Sequence, residues 1–423
     1  MGEKTVNTMT VKPRALALAG LMAASMLATP AWAETLTIYT DTSDPAPRAA
    51  FETLINDFKA ENPDIEVEWQ VFDHEGYKTQ IRNFLTANPP DVAAWYAGNR
   101  MLPYVNANLF EDISDLWESE GLGESLASAE ASMTIGEGIW GVPYTYYQWG
   151  IYYRADIFEE QGIEPPETWD ELLAASAALK EAGITPFAIG TKAPWTTGGW
   201  FDYINLRTHG YDFHMQLTNG EVEWTDERVK ETMANWQQLI DPGYFTENST
   251  AYDWQEALPF FVNGEAAMYL MGNFAVAPMR EAGLTDEQLG FISFPTINPD
   301  VPRAEDAPTD TLHIPANADN KEDARKFLAY VARADVQTKL NEALGQLPVN
   351  RESTPIDDKF IEAGFEMLST ADALAQFFDR DAPAEMAQAG MEGFQEFMAR
   401  PENVDAILDR LERVRQRTAG AQQ

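Results

Sequence analysis

Residues 36–96 alternate strand and helix patterns with almost nothing between them, and that rhythm limits the possible folds more than any other feature. Leu36-Thr37-Ile38-Tyr39 alternates and predicts a strand. Phe51, Leu54, Ile55 and Phe58 then share one helical face at i, i+3, i+4, i+7, and Asn62-Pro63-Asp64 ends the helix. Ile65, Val67, Trp69 and Val71 alternate with Glu66, Glu68 and Gln70 as a second strand. A helix around residues 77–85 and a short buried strand at 91–96 follow. Such a succession is that of a parallel sheet covered by helices. Ligands of such sheets sit outside the carboxyl ends of the strands. Those ends carry Asp41 and Asp44, then Asp73 and His74, then Tyr96, Asn99 and Arg100, seven candidate contact residues on one rim.

A second signal is aromatic. Residues 144–153 hold five tyrosines, Trp149 and Gln148 before the pattern turns helical at Arg154. Alternation puts Tyr144, Tyr146 and Gln148 on one face and Thr145, Tyr147 and Trp149 on the other, so one set should line a cleft and the other should pack. Thr168 and Glu171 have capping-box spacing for the next helix. Residues 191–203 read as a loop holding Trp195, Trp200 and two glycines. Residues 297–308, polar and proline-rich, read as an excursion over the surface.

The bulk properties exclude several classes. At 423 residues, with 45% hydrophobic and 12% aromatic residues, the chain can bury cores in more than one domain. Lys4, Lys12 and Arg14 precede a small apolar run at 15–28 and an Ala31-Trp32-Ala33 cleavage pattern, so residues 1–33 read as a signal peptide. No later stretch approaches about 20 uninterrupted apolar residues, which argues against stable membrane insertion. The chain has no cysteine, hence no disulfide, no thiolate chemistry and no lipid-modified N-terminal cysteine. An exported, untethered chain of this kind fits the periplasm. The formal charge of −39 argues against nucleic acid and anionic membranes as partners. The four histidines lack metal-ligand spacing, and no GxSxG, phosphate loop or Rossmann glycine pattern occurs, so neither a metal site, a cofactor nor a catalytic residue is indicated.

Five pieces in order then resemble the family 1 extracellular solute-binding proteins of carbohydrate ABC importers, a group that includes the maltose-binding proteins. They are Tyr152-Tyr153-Arg154-Ala155-Asp156-Ile157-Phe158 with Gly162; Pro166-Glu167-Thr168-Trp169-Asp170-Glu171-Leu172; Phe261-Val262-Asn263-Gly264-Glu265-Ala266-Ala267-Met268; Met271-Gly272-Asn273; and Gly345-Gln346-Leu347-Pro348-Val349. The resemblance implies a two-lobed α/β fold of the type II periplasmic-binding-protein class. Each lobe would be a mainly parallel sheet flanked by helices, with the ligand in the interlobe cleft. It implies a first lobe from 34–143 and a returning segment at 293–315, and a second lobe from 144–292 and 316–423. It further implies a monomeric, non-enzymatic protein that binds a sugar and delivers it to inner-membrane ABC permease subunits.

A sugar site needs rings to stack on C–H faces and planar polar groups for hydroxyls. The candidates are therefore Tyr146, Gln148 and Trp149 from the aromatic run, Trp195, Trp200 and Trp254 from loops, Gly272 and Asn273 after a strand, and Asp310 and His313 near the last crossing. Arg100 stands out as a cation in an acidic chain and suits vicinal hydroxyls or an anionic group. The same aromatic cleft is compatible with a secreted glycoside hydrolase, or with a non-sugar or anionic ligand in the same fold.

Overall fold

The computed structural model describes residues 1–3 and 35–421; the expected signal segment at 1–33 lies, beyond its first three residues, outside the described residues. Strands β1 (Leu36–Thr40), β2 (Val67–Val71) and β3 (Val92–Tyr96) form where the alternation predicts them. A short hairpin, β4 (Thr134–Ile135) and β5 (Gly138–Ile139), precedes β6 (Val142–Tyr146) and β7 (Trp149–Arg154). Further on lie β8 (Thr185–Phe187), β9 (Ala266–Gly272), β10 (Leu289–Ile292), β11 (Ala304–Asp306), β12 (Thr309–His313) and β13 (Ala373–Ala375).

Two sheets organise the chain. One has the order β2-β1-β3-β12-β6 and the other β10-β7-β9-β8. Both are mixed rather than mainly parallel. β1 runs parallel to β2 and β3, but β12 is antiparallel to both β3 and β6. In the second sheet only β8 and β9 are parallel. The reason is connectivity: β12 enters the first sheet directly from β11, which pairs with β13 and packs on Leu206, so no covering helix crosses over to set its direction.

Each sheet carries its own hydrophobic core. The first draws Phe51, Leu54 and Phe58 from helix Pro45–Glu61 and Ile81 and Leu85 from helix His74–Ala87. It also takes Phe327, Leu328, Leu340 and Leu344 from helices Lys321–Ala332 and Ala334–Leu344. The resemblance assigns 316–423 as one piece to the second lobe; the packing divides it. The apolar faces of those two helices are covered by the first sheet and its helices, with the Phe58 and Phe327 rings 5.0 Å apart. Helices Ala384–Ala399 and Val404–Ala421 pack in the second core through Phe394 and Leu411, beside Trp200, Trp236 and Tyr269. Chain passages between the cores fall near residues 147–148, 307–308 and 345–358.

Local chemistry fixes several boundaries. The predicted capping box is present: Thr168 accepts from the Glu171 backbone and Glu171 from the Thr168 backbone, opening helix Trp169–Glu181. The expected loop at 191–203 is instead mostly helix Thr196–His209, almost wholly buried. Its glycines do not break it because they admit close neighbours; a Cβ on Gly199 would lie 3.0 Å from the Trp149 ring. The expected surface excursion also turns inward at β11, whose three residues are all buried. Among the described residues no helix is long and apolar enough to cross a membrane.

Candidate ligand cleft

A cleft of about 630 Å³ lies where residues from both cores face each other. One wall comes from the carboxyl ends of β1, β2 and β3. Pro45 at the first turn of helix Pro45–Glu61 turns the chain sharply after β1, leaving Asp41 and Asp44 at the rim. Asp44 caps no backbone group of that helix; its Oδ1 instead accepts from Gln255 Nε2 at 2.9 Å. Asp73 caps helix His74–Ala87 by accepting from Gly76 N at 2.8 Å. That cap sets His74 with its Nδ1 2.9 Å from Asp41 Oδ2, the oxygen to which Tyr96 OH also donates at 2.9 Å. Burial alone would raise the Asp41 carboxyl. Hydrogen bonding and charge from His74, the Tyr96 bond and the nearby Lys78 leave it below the ordinary carboxylate value.

The opposite wall is aromatic. Phe274 is its hub: Tyr147, Trp149, Trp195 and Trp254 meet its ring at 5.4, 6.0, 6.2 and 5.3 Å, all edge to face. Phe377 lies along Trp149 at 4.6 Å. Trp149 itself is 2% exposed, and its indole Nε1, though buried at the cleft, has no hydrogen-bond partner.

Arg380 joins the walls. Its Nη2 lies 2.9 Å from Asp310 Oδ1 and donates to Tyr147 OH at 3.0 Å, while the guanidinium carbon stands 4.3 Å from the Tyr96 ring centre. Its Nη1 is buried and unpartnered. Burial raises the Asp310 carboxyl in spite of Arg380. Asp379 goes the other way: burial would raise it, but Lys78, Arg100 and Arg380 hold it below the usual range. Lys78 Nζ sits 3.7 Å from Asp379 Oδ2, a further contact across the cleft.

Of the residues expected from sequence, Asp41, Asp44, Asp73, His74, Tyr96, Trp149, Trp195, Trp254 and Asp310 line this cleft. The others lie elsewhere. The simple alternation fails at the β6–β7 break, since Tyr144, Tyr147 and Trp149 all face the cleft while Tyr146 and Gln148 do not. Tyr146 exchanges backbone hydrogen bonds with Leu347, and Gln148 is fully buried, donating to Phe360 O at 2.7 Å. Trp200, on a helix rather than a loop, is core and packs on Phe187 and Phe245. Asn99 bonds Asn219 Oδ1 and Asp381 O, away from the lining. Arg100 lies over the Trp95 ring at 5.7 Å. Gly272 does permit a close approach, but of Phe274 and Trp149, at 2.4 and 3.0 Å from a Cβ built there. Asn273 is buried, accepting from Tyr152 OH at 2.9 Å. His313 stacks on Phe110 at 4.3 Å in the first core, and burial pushes its pKa down to about 4.

Sequence reasoning missed Lys78, Phe274, Phe377, Asp379 and Arg380, and marked Tyr147 only as a member of one alternating face. A signal for two of them existed. Lys78 is one helical turn from His74, and Arg380 stands between two aspartates directly after Phe377-Phe378. Among the described residues no group of His, Cys, Asp or Glu has the arrangement to hold a metal ion.

This two-walled α/β architecture is that of the type II periplasmic binding proteins. Residues 42–338 match the family model described as bacterial extracellular solute-binding protein, and the chain belongs to that family. It is 27% identical over 329 residues to an uncharacterized ABC transporter extracellular-binding protein of Pyrococcus horikoshii, covering 74% of this chain and 73% of the relative. The multiple sugar-binding protein of Streptococcus mutans is 26% identical over 300 residues, covering 69% and 70%. Among solved structures, a bacterial solute receptor with exclusive preference for β-D-galactopyranose superposes with TM-score 0.82 at 26% identity, covering 92% of this chain and 98% of the receptor. A chitin oligosaccharide binding protein shares the fold with TM-score 0.83 at 21% identity, covering 92% of this chain and all of that one.

Proposed function

We propose that this chain is the substrate-binding component of a carbohydrate ABC importer: a periplasmic, monomeric, non-catalytic protein that holds a sugar in the cleft and hands it to the permease subunits of the inner membrane. The observation that carries this reading is the division of labour between the walls. Rings clustered on Phe274 offer apolar faces, and Asp41, His74, Asp310 and Arg380 opposite them offer directional donors and acceptors. A sugar has both kinds of surface, C–H faces and a girdle of hydroxyls. Family membership and the sugar-binding relatives support the same conclusion.

Closure follows from the same geometry. Gln255–Asp44 and Arg380–Asp310 already reach across the cleft, so a ligand touching both walls adds contacts that exist only when they are together. The test is a thermal-shift and tryptophan-fluorescence screen over neutral mono- and oligosaccharides, with product analysis of each incubation. A rise in Tm and a fluorescence change with at least one sugar, without turnover, is the expected outcome. Cleavage of an oligosaccharide, or indifference to the whole panel, overturns the proposal.

A further inference from the structure

The cleft is unequal in charge: eight carboxylate side chains line it against three cationic ones, Lys78, Lys192 and Arg380. Each of the three already has a carboxylate partner. Arg380 is paired with Asp310 at 2.9 Å, Lys78 lies between Glu75 at 3.3 Å and Asp379 at 3.7 Å, and Lys192 is 3.4 Å from Glu256. Arg100, the cation that sequence alone marks for an anionic group, is not part of the lining. A carboxylate or phosphate entering this cleft would be stripped of water among like charges with no unneutralised partner, which costs more than ordinary hydrogen bonds return.

The buried polar atoms point to what does fit. Arg380 Nη1 and Trp149 Nε1 are donors without partners, and Asp310 Oδ1 is buried beside the guanidinium of Arg380 with capacity left to accept. A hydroxyl group can accept from the first kind and donate to the second; a carboxylate can only accept.

Resting on the sugar-binding reading above, we infer that the cleft selects sugars without negative charge, and that the Arg380–Asp310 pair is a charge-neutral clamp for a sugar hydroxyl that sets this selectivity. Asp310 is then a specificity-determining residue: it cancels a guanidinium that would otherwise recruit uronic acids.

The experiment is a calorimetric titration of the full chain with D-galactose, D-glucose, raffinose and chitobiose, and with D-galacturonate and D-glucuronate, at one ionic strength. At least one neutral sugar should bind, with every uronate about ten-fold weaker or more. A uronate binding as tightly as the best neutral sugar overturns the inference and leaves sugar binding standing. No binding by any compound removes the sugar-binding reading itself, and this inference with it. In Asp310→Asn the freed guanidinium should move the uronate-to-neutral affinity ratio at least about five-fold toward the uronate. An unchanged ratio in a folded variant refutes the role of Asp310. If that variant does not fold, as judged by its Tm, Asp379→Asn leaves Lys78 paired with Glu75 but no longer with Asp379 and should move the same ratio in the same direction; no movement there counts equally against neutralisation of the cleft cations.

Discussion

The two walls of the cleft are built by different means. The first-core wall is made of strand ends and helix starts, and its side chains are held by short directional bonds: Asp73 to its own helix, His74 and Tyr96 to Asp41. The second-core wall is made of rings that hold one another, four of them meeting around Phe274 and Phe377, with backing from helix Thr196–His209. Polar groups on the first wall can change partners when the cleft opens, because water replaces a lost hydrogen bond. Rings on the second wall cannot, because exposing them forfeits burial. A ligand therefore meets one adaptable surface and one rigid surface.

The largest effect should come from the residue that belongs to both. Arg380→Ala leaves Asp310 without its countercharge in a buried setting and should lower unfolding stability by about 3–5 kcal/mol, read by urea denaturation, together with loss of sugar binding. A variant of unchanged stability would mean that the walls are joined by something else. Next come the rings. Trp149→Ala should cost about 3–5 kcal/mol of stability as well as binding, because the ring is 2% exposed and packed against Trp195, Phe274 and Phe377. Trp195→Ala, a ring only partly buried, should abolish most binding while changing stability by about 1 kcal/mol or less. Equal stability losses for the two would erase the distinction between a ring that builds the wall and one that faces ligand.

A pH experiment reaches behind the walls. Asp381 follows Arg380 directly, and burial raises its carboxyl from 3.8 to about 7. Its contribution to stability is complete below pH 3.8 and is lost as pH rises through about 7. Asp381→Asn removes that loss, so the Tm of the variant relative to the parent should climb between pH 5 and pH 8; a difference independent of pH would show that Asp381 is ionised throughout. The smallest effect is expected from Gln255→Ala. It deletes one exposed contact across the cleft, so affinity should fall no more than about five-fold, with Tm nearly unchanged.

The first wall was largely legible in the sequence and the second only in part. Asp41, Asp44, Asp73, His74 and Tyr96 follow from strand ends, because a parallel β-α-β succession dictates which end of each strand is open. Trp149, Trp195 and Trp254 also line the cleft, but Trp200 does not, for a loop reading and a helix reading turn that ring in opposite directions. Phe274 and the Phe377–Arg380 segment come from distant parts of the chain, and no local pattern says that they meet. The buried strand β11 carries the same lesson. Glu305 and Asp306 look like surface residues in a polar, proline-rich stretch, yet both are 0% exposed, because β13 pairs with that strand and Arg207 reaches Glu305 at 2.6 Å.

Periodicity by itself determined the β-α-β start, the capped helices and the rim of the first wall, since each depends on neighbours within a few residues. Only the tertiary structure decided that both sheets are mixed, that the helices between 321 and 344 join the first core, and that the cleft cations are already neutralised. Those outcomes depend on which distant surfaces cover each other, and burial and charge pairing between segments far apart in the chain leave no periodic trace in either segment.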